Sequence, residues 1–378
     1  MERRTWEKLG IETSLLGFGC MRFPTNDEGK IDEVRSEALI DQAITSGVTY
    51  IDTAYPYHDG ESEPFLGKVL KKYDRHSFTL ATKLPLWDIK TREEAETLFH
   101  AQLDRLQVDY VDFYLLHSLD KGKWKKVKEL GILEYLESMR EAGKLRYIGF
   151  SFHDTYEVFE EILTDRNWDF CQMQLNYMDV DHQQGMRGYR LAEKLNIPVV
   201  IMEPNKGGML ARLPQDIASI LKAVDPNASM ASWSMRWIAS LPNIKVVLSG
   251  MSDEQQVADN LKTFSPFHAL SDYELETVAK VKQAIEERTK VGCTACGYCM
   301  PCPQGINIPK NFKVWNTYSM YENAEAAVHS VEALKKEHAF ASACIRCGAC
   351  EAMCPQHIDI RNQLAAAAAC LEALAVKG

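Results

Sequence analysis

Positive charge is what this sequence is short of. Its 378 residues carry 43 Lys and Arg against 53 Asp and Glu, a net charge of −10. The one basic run, KGKWKKVK at 121–128, is brief. A nucleic-acid partner would want a basic stripe, so that class is set aside and the run reads as a solvated loop entering a helix. Long apolar tracts are missing too. LAAAAACLEALAV at 364–376 is shorter than the ~20 residues of a membrane span and contains Glu372, so it reads as a terminal helix and no membrane partner is expected. MERRTWEKLG has Arg3 and Arg4 but lacks the apolar core of a secretory signal, which predicts a reducing, cytoplasmic setting. Clustered cysteines there are metal ligands sooner than disulfides. A glycine-rich dinucleotide fingerprint is absent as well: Gly17 and Gly19 are present, but Arg22 holds the third position.

What is present is an alternation. Eight apolar runs of four to eight residues recur from residue 10 to about 265: LLGFGC (15–20), TYIDTA (49–54), FTLATK (78–83), YVDFYLLH (110–117), YIGFS (147–151), FCQMQL (170–175), PVVIM (198–202) and KVVLSG (245–250). Runs apolar at nearly every position suit parallel strands buried on both faces. Amphipathic stretches separate them. EVRSEALIDQAITSG ends at Gly47 as a helix C-terminus would. TREEAETLFHAQLDRLQ offers Thr91 as an N-cap with Glu93 and Glu94 behind it. Eight strand–helix units predict an α/β fold, a closed (β/α)8 barrel over 1–270. A connecting helix over 271–290 and a mainly helical cysteine-bearing domain over 291–378 are expected to follow.

Residues ending barrel strands face the active site. Asp52, Lys83 and His117 end the second, third and fourth strands, and Tyr57 follows Asp52 by five residues. Taken singly, each could be a helix cap, a solvated strand end, a core histidine or a core aromatic. Together they form an acid catalyst. An ammonium beside the Tyr57 hydroxyl should lower its pKa from about 10, Asp52 would keep Lys83 charged, and His117 could orient a carbonyl oxygen. That machinery needs a hydride donor.

The segments IDTAYPYHDGESEPFLG, ATK, DFYLLHS, GKLRYIGFS, QMQLNY and LSGMSDEQQVADN resemble, in order and spacing, the aldo-keto reductase superfamily over residues 10 to about 265. The resemblance implies a nicotinamide-dependent reductase with catalytic Asp52, Tyr57, Lys83 and His117, acting on a small carbonyl or alcohol substrate. It implies that Ser151 and Gln172 hold the nicotinamide carboxamide and that Gly250 and Asn260 belong to the nucleotide site. Three departures stand out. Phe152 and His153 follow Ser151 where Asn is usual. Met202 replaces a stacking aromatic. Asp253 and Gln256 occupy the place of the basic pair for the 2′-phosphate of NADPH, so any preference for NADPH should be weak, and a preference for NADH stays open. Gly207 and Gly208 would let backbone approach a pyrophosphate, with Lys206 adding charge. Phe23, Tyr55, Trp87, His153 and Tyr177 are candidates to line the pocket.

Two cysteine runs close the chain, CTACGYCMPCPQ from Cys293 and CIRCGACEAMCP from Cys344. Cys344, Cys347, Cys350, Cys354 and Pro355 match the bacterial ferredoxin spacing Cys-x2-Cys-x2-Cys-x3-Cys-Pro. Cys293, Cys296, Cys299, Cys302 and Pro303 match it except for a shorter last gap. Structural zinc is the alternative, though it uses pairs and leaves the third close cysteine surplus. In two-cluster ferredoxins the fourth cysteine serves the other cluster, which predicts Cys293, Cys296, Cys299 and Cys354 on one 4Fe–4S cluster, and Cys344, Cys347, Cys350 and Cys302 on a second. Cys20 and Cys171 read as packing residues. The whole chain thus resembles ferredoxin-tailed aldo-keto reductases. Three functions stay open: hydride transfer coupled to or regulated by the clusters, with a ferredoxin or other redox partner; single-electron reduction through the clusters and a flavin, with the barrel supplying protons; or a non-enzymatic electron-transfer or redox-sensing module.

Overall fold

A computed structural model describes residues 1–375. The chain forms two compact units, one made of Met1–Ala211 with Ala231–Leu275, the other of Arg212–Met230 with the residues from Glu276 onward.

The first unit is a closed barrel of eight parallel strands: β3 (Leu16–Gly19), β4 (Tyr50–Asp52), β5 (Thr79–Leu84), β6 (Val111–Leu119), β7 (Leu145–Phe152), β8 (Phe170–Gln174), β9 (Val199–Met202) and β10 (Ile244–Ser249), with β10 pairing β3 to close the ring. All eight apolar runs become these strands. Two core layers explain why. Tyr50, Ala81, Phe113, Leu115, Phe170, Val200, Val246 and Leu248 fill the interior. Alternate residues such as Ile51, Leu80, Tyr114, Ile148, Cys171 and Ile201 lie in the layer under the helices. Because side chains alternate along a strand, the interior register continues to Gly19, Asp52, Lys83, His117, Ser151, Gln172, Met202 and Gly250. The polar inward positions cluster at the C-terminal mouth.

Interior volume is used closely. A Cβ added at Gly149 would come within 2.5 Å of the Phe170 ring. Gly149→Ala is therefore expected to lower stability by about 1–3 kcal/mol, the usual cost of overpacking, read as a lower denaturant midpoint with unchanged slope.

Two features depart from the sequence expectations. The N-terminus forms an antiparallel hairpin, β1 (Arg3–Trp6) with β2 (Ile11–Ser14), that the charged stretch did not suggest. It delivers Trp6, fully buried, against Tyr50, Phe113 and Phe170 inside the barrel, with the indole N–H donating to Thr13 Oγ1 at 2.9 Å. Residues 121–128, expected as a solvated loop entering a helix, are helical from their first residue and form most of helix Lys121–Glu129. Asp120 caps it by accepting the Lys123 N–H, and Trp124 and Val127, one turn apart, are buried. The cap and that apolar pair outweigh the lysines. Helices Glu33–Thr45 and Arg92–Leu106 form where predicted, the latter with Thr91 and Glu94 in a capping box.

The second unit is helical, built from Gln215–Lys222, Ile308–Tyr321, Ala324–Lys336 and Ile360–Ala375. Its core includes Ile308, Phe312, Val331, Leu334, Leu364 and Leu371. Residues 212–230, grouped by the sequence pattern with the barrel, fall in this unit. Arg288 links them to it, donating to Asp216 at 2.6 and 2.7 Å and to Glu322 at 2.8 Å. Helix Asp272–Glu286 runs through the point where the units divide. Val376, the last residue of the apolar tract, lies outside the described residues. Among those described, no helix is long and apolar enough to cross a membrane.

Candidate active site

Asp52, Lys83, His117 and Tyr57 meet at the barrel mouth. Lys83 is fully buried and donates to Asp52 Oδ1 at 2.7 Å and to the Thr53 carbonyl at 2.6 Å. The remaining Asp52 oxygen, Oδ2, is buried without a partner. The Lys83 ammonium lies 4.9 Å from the Tyr57 ring centroid, and the Tyr57 and His117 rings stand edge-on at 6.2 Å. The exposed Trp87 stacks obliquely on His117 at 4.9 Å.

Burial and charge set the protonation states. Burial works against the Lys83 ammonium, yet Asp52 and Tyr57 more than offset it and hold its pKa above the ordinary value. Burial raises the Asp52 carboxyl, opposed by Lys83. The expected lowering of Tyr57 does not prevail. Lys83 pulls its pKa down, but burial, with Asp52 beside it, leaves the phenol net raised. His117 is pushed down to about 2, by burial first and then by the charges of Lys83, His153 and Lys123. Its imidazole is thus neutral at physiological pH, and its Nδ1 is buried without a partner.

Ser151 and Gln172 face each other in register on β7 and β8, both buried. The Ser118 N–H donates to Ser151 Oγ at 2.7 Å, and Gln172 reaches Met202 Sδ at 3.7 Å. Gln172 Oε1 is buried with no donor. Such an orphaned acceptor is costly, and a carboxamide N–H satisfies it, so the inner wall fits a nicotinamide. Gly207 and Gly208 have φ of 64° and 94°, with open space where side chains would stand. That leaves backbone accessible to an anion.

Lys206 does not supply free charge: its ammonium pairs with Asp179, which also accepts from Gln174 and Asn176. Sequence reasoning missed Asp179, because the pairing joins two loops with no spacing signal. Asp253 caps helix Glu254–Phe264 by accepting both the backbone and side-chain N–H groups of Gln256, at 2.8 and 2.7 Å. Asn260 donates to Ser249 Oγ at 2.9 Å and so holds the end of β10. Of the suggested pocket residues, Phe23 packs on Phe18 and Phe65, Tyr177 is buried near Trp237, and Tyr55 lies under Arg105. Trp87 and His153 remain exposed.

In the helical unit the cysteines line two cavities. One, about 230 Å³, is bordered by Cys299, Cys302, Cys344, Cys347 and Cys350. The other, tighter, is bordered by Cys293, Cys296, Cys299 and Cys354. Each cavity is therefore lined by cysteines of both runs. Among the described residues no three His, Cys, Asp or Glu side chains converge as they would on a single metal ion. Thiols spread around a cavity, with no carboxylate or histidine lining either one, fit a multi-atom iron–sulfur group. A repeat went unread in the sequence: Cys302-Pro303-Gln304 and Cys354-Pro355-Gln356 lead into helices starting at Ile308 and Ile360. Cys20 and Cys171 are buried thiols in the barrel wall, as expected.

Comparison with known proteins agrees with this geometry. Residues 15–283 match the aldo/keto reductase family, and residues 292–358 match the 4Fe-4S dicluster domain. The uncharacterized oxidoreductase YqkF of Bacillus subtilis is 25% identical over 293 residues, 69% of this chain and 90% of that protein. The aldo-keto reductase YhdN of the same organism is 35% identical over 163 residues, covering 40% of this chain and 47% of its own. The holo form of aldo-keto reductase AKR11C1 from Bacillus halodurans superposes with a TM-score of 0.63 at 25% identity, covering 74% of this chain and 96% of that one. An aldo-keto reductase from Klebsiella pneumoniae, solved with NADPH, shares the fold at a TM-score of 0.60, 21% identity and 72% and 92% coverage. With a barrel whose inward strand ends carry this polar cluster and a family match over most of its length, the chain belongs to the aldo/keto reductase family, an oxidoreductase fold extended by a 4Fe-4S dicluster-type domain.

Proposed function

We propose that the barrel, residues 1–270, reduces an aldehyde or ketone, or runs the reverse oxidation, and that residues 291–378 hold two 4Fe–4S clusters that feed or regulate it, with a ferredoxin-type redox partner. The observation that carries this reading is the buried Lys83–Asp52 pair set against the Tyr57 ring with neutral His117 beside it. A bound nicotinamide would supply hydride to the carbonyl carbon, and bound clusters would supply or accept single electrons. Tyr57 hands its phenolic proton to the carbonyl oxygen. Lys83 stabilises the phenolate that remains, and Asp52 keeps Lys83 charged in a site that would otherwise favour its neutral form. His117, neutral, donates a hydrogen bond to the carbonyl oxygen and aligns it. Ser151 and Gln172 hold the carboxamide.

The second reading, single-electron reduction through a flavin with Tyr57 as proton source, draws support from Met202 at the stacking position and from Asp253 and Gln256 at the 2′-phosphate position. A cofactor count separates the two. Anaerobically purified protein is expected to contain iron and sulfide without flavin, and to reduce carbonyl compounds with nicotinamide alone. Flavin in equal amount to protein, with no turnover on NADH or NADPH, would favour the second reading. Both readings place Tyr57 in use, whereas a non-enzymatic module would not. The Asp253 carboxylate also carries a prediction: NADH binds at least as tightly as NADPH. A Kd for NADPH well below that for NADH would refute it.

A further inference from the structure

Phosphate sites in this barrel architecture commonly sit on the loops after the seventh and eighth strands, here β9 and β10. Of the cations on or beside those loops, Lys206 and Arg35 are neutralised, while Arg22 and Arg212 are exposed and have no ion pair among the described residues. Lys206 is paired with Asp179. Arg35 is held in a fork by Glu254, with contacts of 2.9 and 2.8 Å. Arg22 is exposed, and among the described residues no carboxylate lies within ion-pair distance of it.

Arg22 is also fixed where an anion would need it. It follows β3, the strand that pairs with β10. Its carbonyl accepts the Ser252 hydroxyl at 2.7 Å, clamping the two loops together. Its stem lies on Gly250, where an added Cβ would come within 2.8 Å of Arg22 Cγ and 2.9 Å of its Cβ. Gly250 is thus kept without a side chain by Arg22, at the inward-facing end of β10. The clamp settles the backbone and the stem and leaves the guanidinium exposed. A guanidinium also presents the planar fork that matches phosphate oxygens.

We propose that Arg22 is the anion anchor of the nucleotide site, holding the pyrophosphate that NADH and NADPH share. It replaces the charge that Asp253 and Gln256 do not provide. The 2′-phosphate is the poorer match, since Asp253 and Glu254 begin the helix behind this loop and would repel it. This assignment rests on the nicotinamide reading above.

The test titrates the full-length wild type, Arg22→Gln and Arg22→Lys with NADH and with NADPH at several salt concentrations, following tryptophan fluorescence. Arg22→Gln is expected to raise both Kd values by the same factor, roughly 10- to 100-fold, the worth of hydrogen bonds to a charged group. It should also flatten the salt dependence while leaving the thermal midpoint unchanged, and Arg22→Lys should recover part of the affinity. Unchanged binding by Arg22→Gln, or a loss confined to NADPH, overturns the proposal and leaves the nicotinamide reading intact. A wild type that binds neither nucleotide overturns both.

Discussion

Tyr57→Phe is expected to cut carbonyl reduction by roughly two to four orders of magnitude, the usual contribution of a general acid, with the Kd for the nicotinamide unchanged. The variant keeps the ring against the Lys83 ammonium and edge-on to His117, so packing is preserved and only the proton is lost. The pH profile sharpens this expectation. Burial raises the Tyr57 pKa despite Lys83, so the phenol stays protonated through neutrality and the acid-dependent rate falls only above about pH 10, the ordinary tyrosine value. His117 titrates near 2, so it contributes no limb in the neutral range. A reduction rate that is unmoved by Tyr57→Phe, or that declines already near pH 7, would assign the proton to another group. The same variant tests the flavin reading: single-electron reduction with protonation by Tyr57 would lose turnover without losing reduction of the bound flavin.

How far the sequence carried this picture depends on how local each signal is. The eight barrel strands were legible because a strand buried on both faces must be apolar at nearly every position, as in FTLATK and PVVIM. The polar cluster was legible because Asp52, Lys83 and His117 interrupt those runs at the inward register. Long-range terms were not legible. Trp6 is secured by a barrel interior assembled from residues far along the chain, so its hairpin left no apolar alternation to read. Arg288 reaches back 72 residues to Asp216, which explains why residues 212–230 do not fall in the barrel unit. The net direction of the Tyr57 shift also escaped, because neighbours can be guessed from strand order but depth of burial cannot. The pairing of Lys206 with Asp179 hid the charge expected at the phosphate loop, and Arg22, noticed at first only as a broken glycine motif, stands beside it exposed and without an ion pair among the described residues.

Removing cysteines in pairs is expected to separate crossed from uncrossed ligation by iron content. Cys302 and Cys344 border one cavity, while Cys293 borders the other. If the fourth cysteine of each run serves the opposite group, Cys302→Ala with Cys344→Ala damages one cluster and retains about half the iron. Cys302→Ala with Cys293→Ala damages both and retains little. Uncrossed ligation reverses the two outcomes, so iron and sulfide analysis of the two variants decides between them. The cavity linings also account for the short last gap of the first run. Cys299 borders both cavities, whereas Cys302 belongs only to the larger one, with Cys344, Cys347 and Cys350. Cys302 therefore has no need to reach back toward Cys293 and Cys296, and a two-residue step from Cys299 to Cys302 suffices to pass from one group to the other. Cys354, after a three-residue step, crosses in the opposite direction to complete the set of Cys293, Cys296 and Cys299. If each cavity holds a cluster with this lining, each cluster ties both runs together.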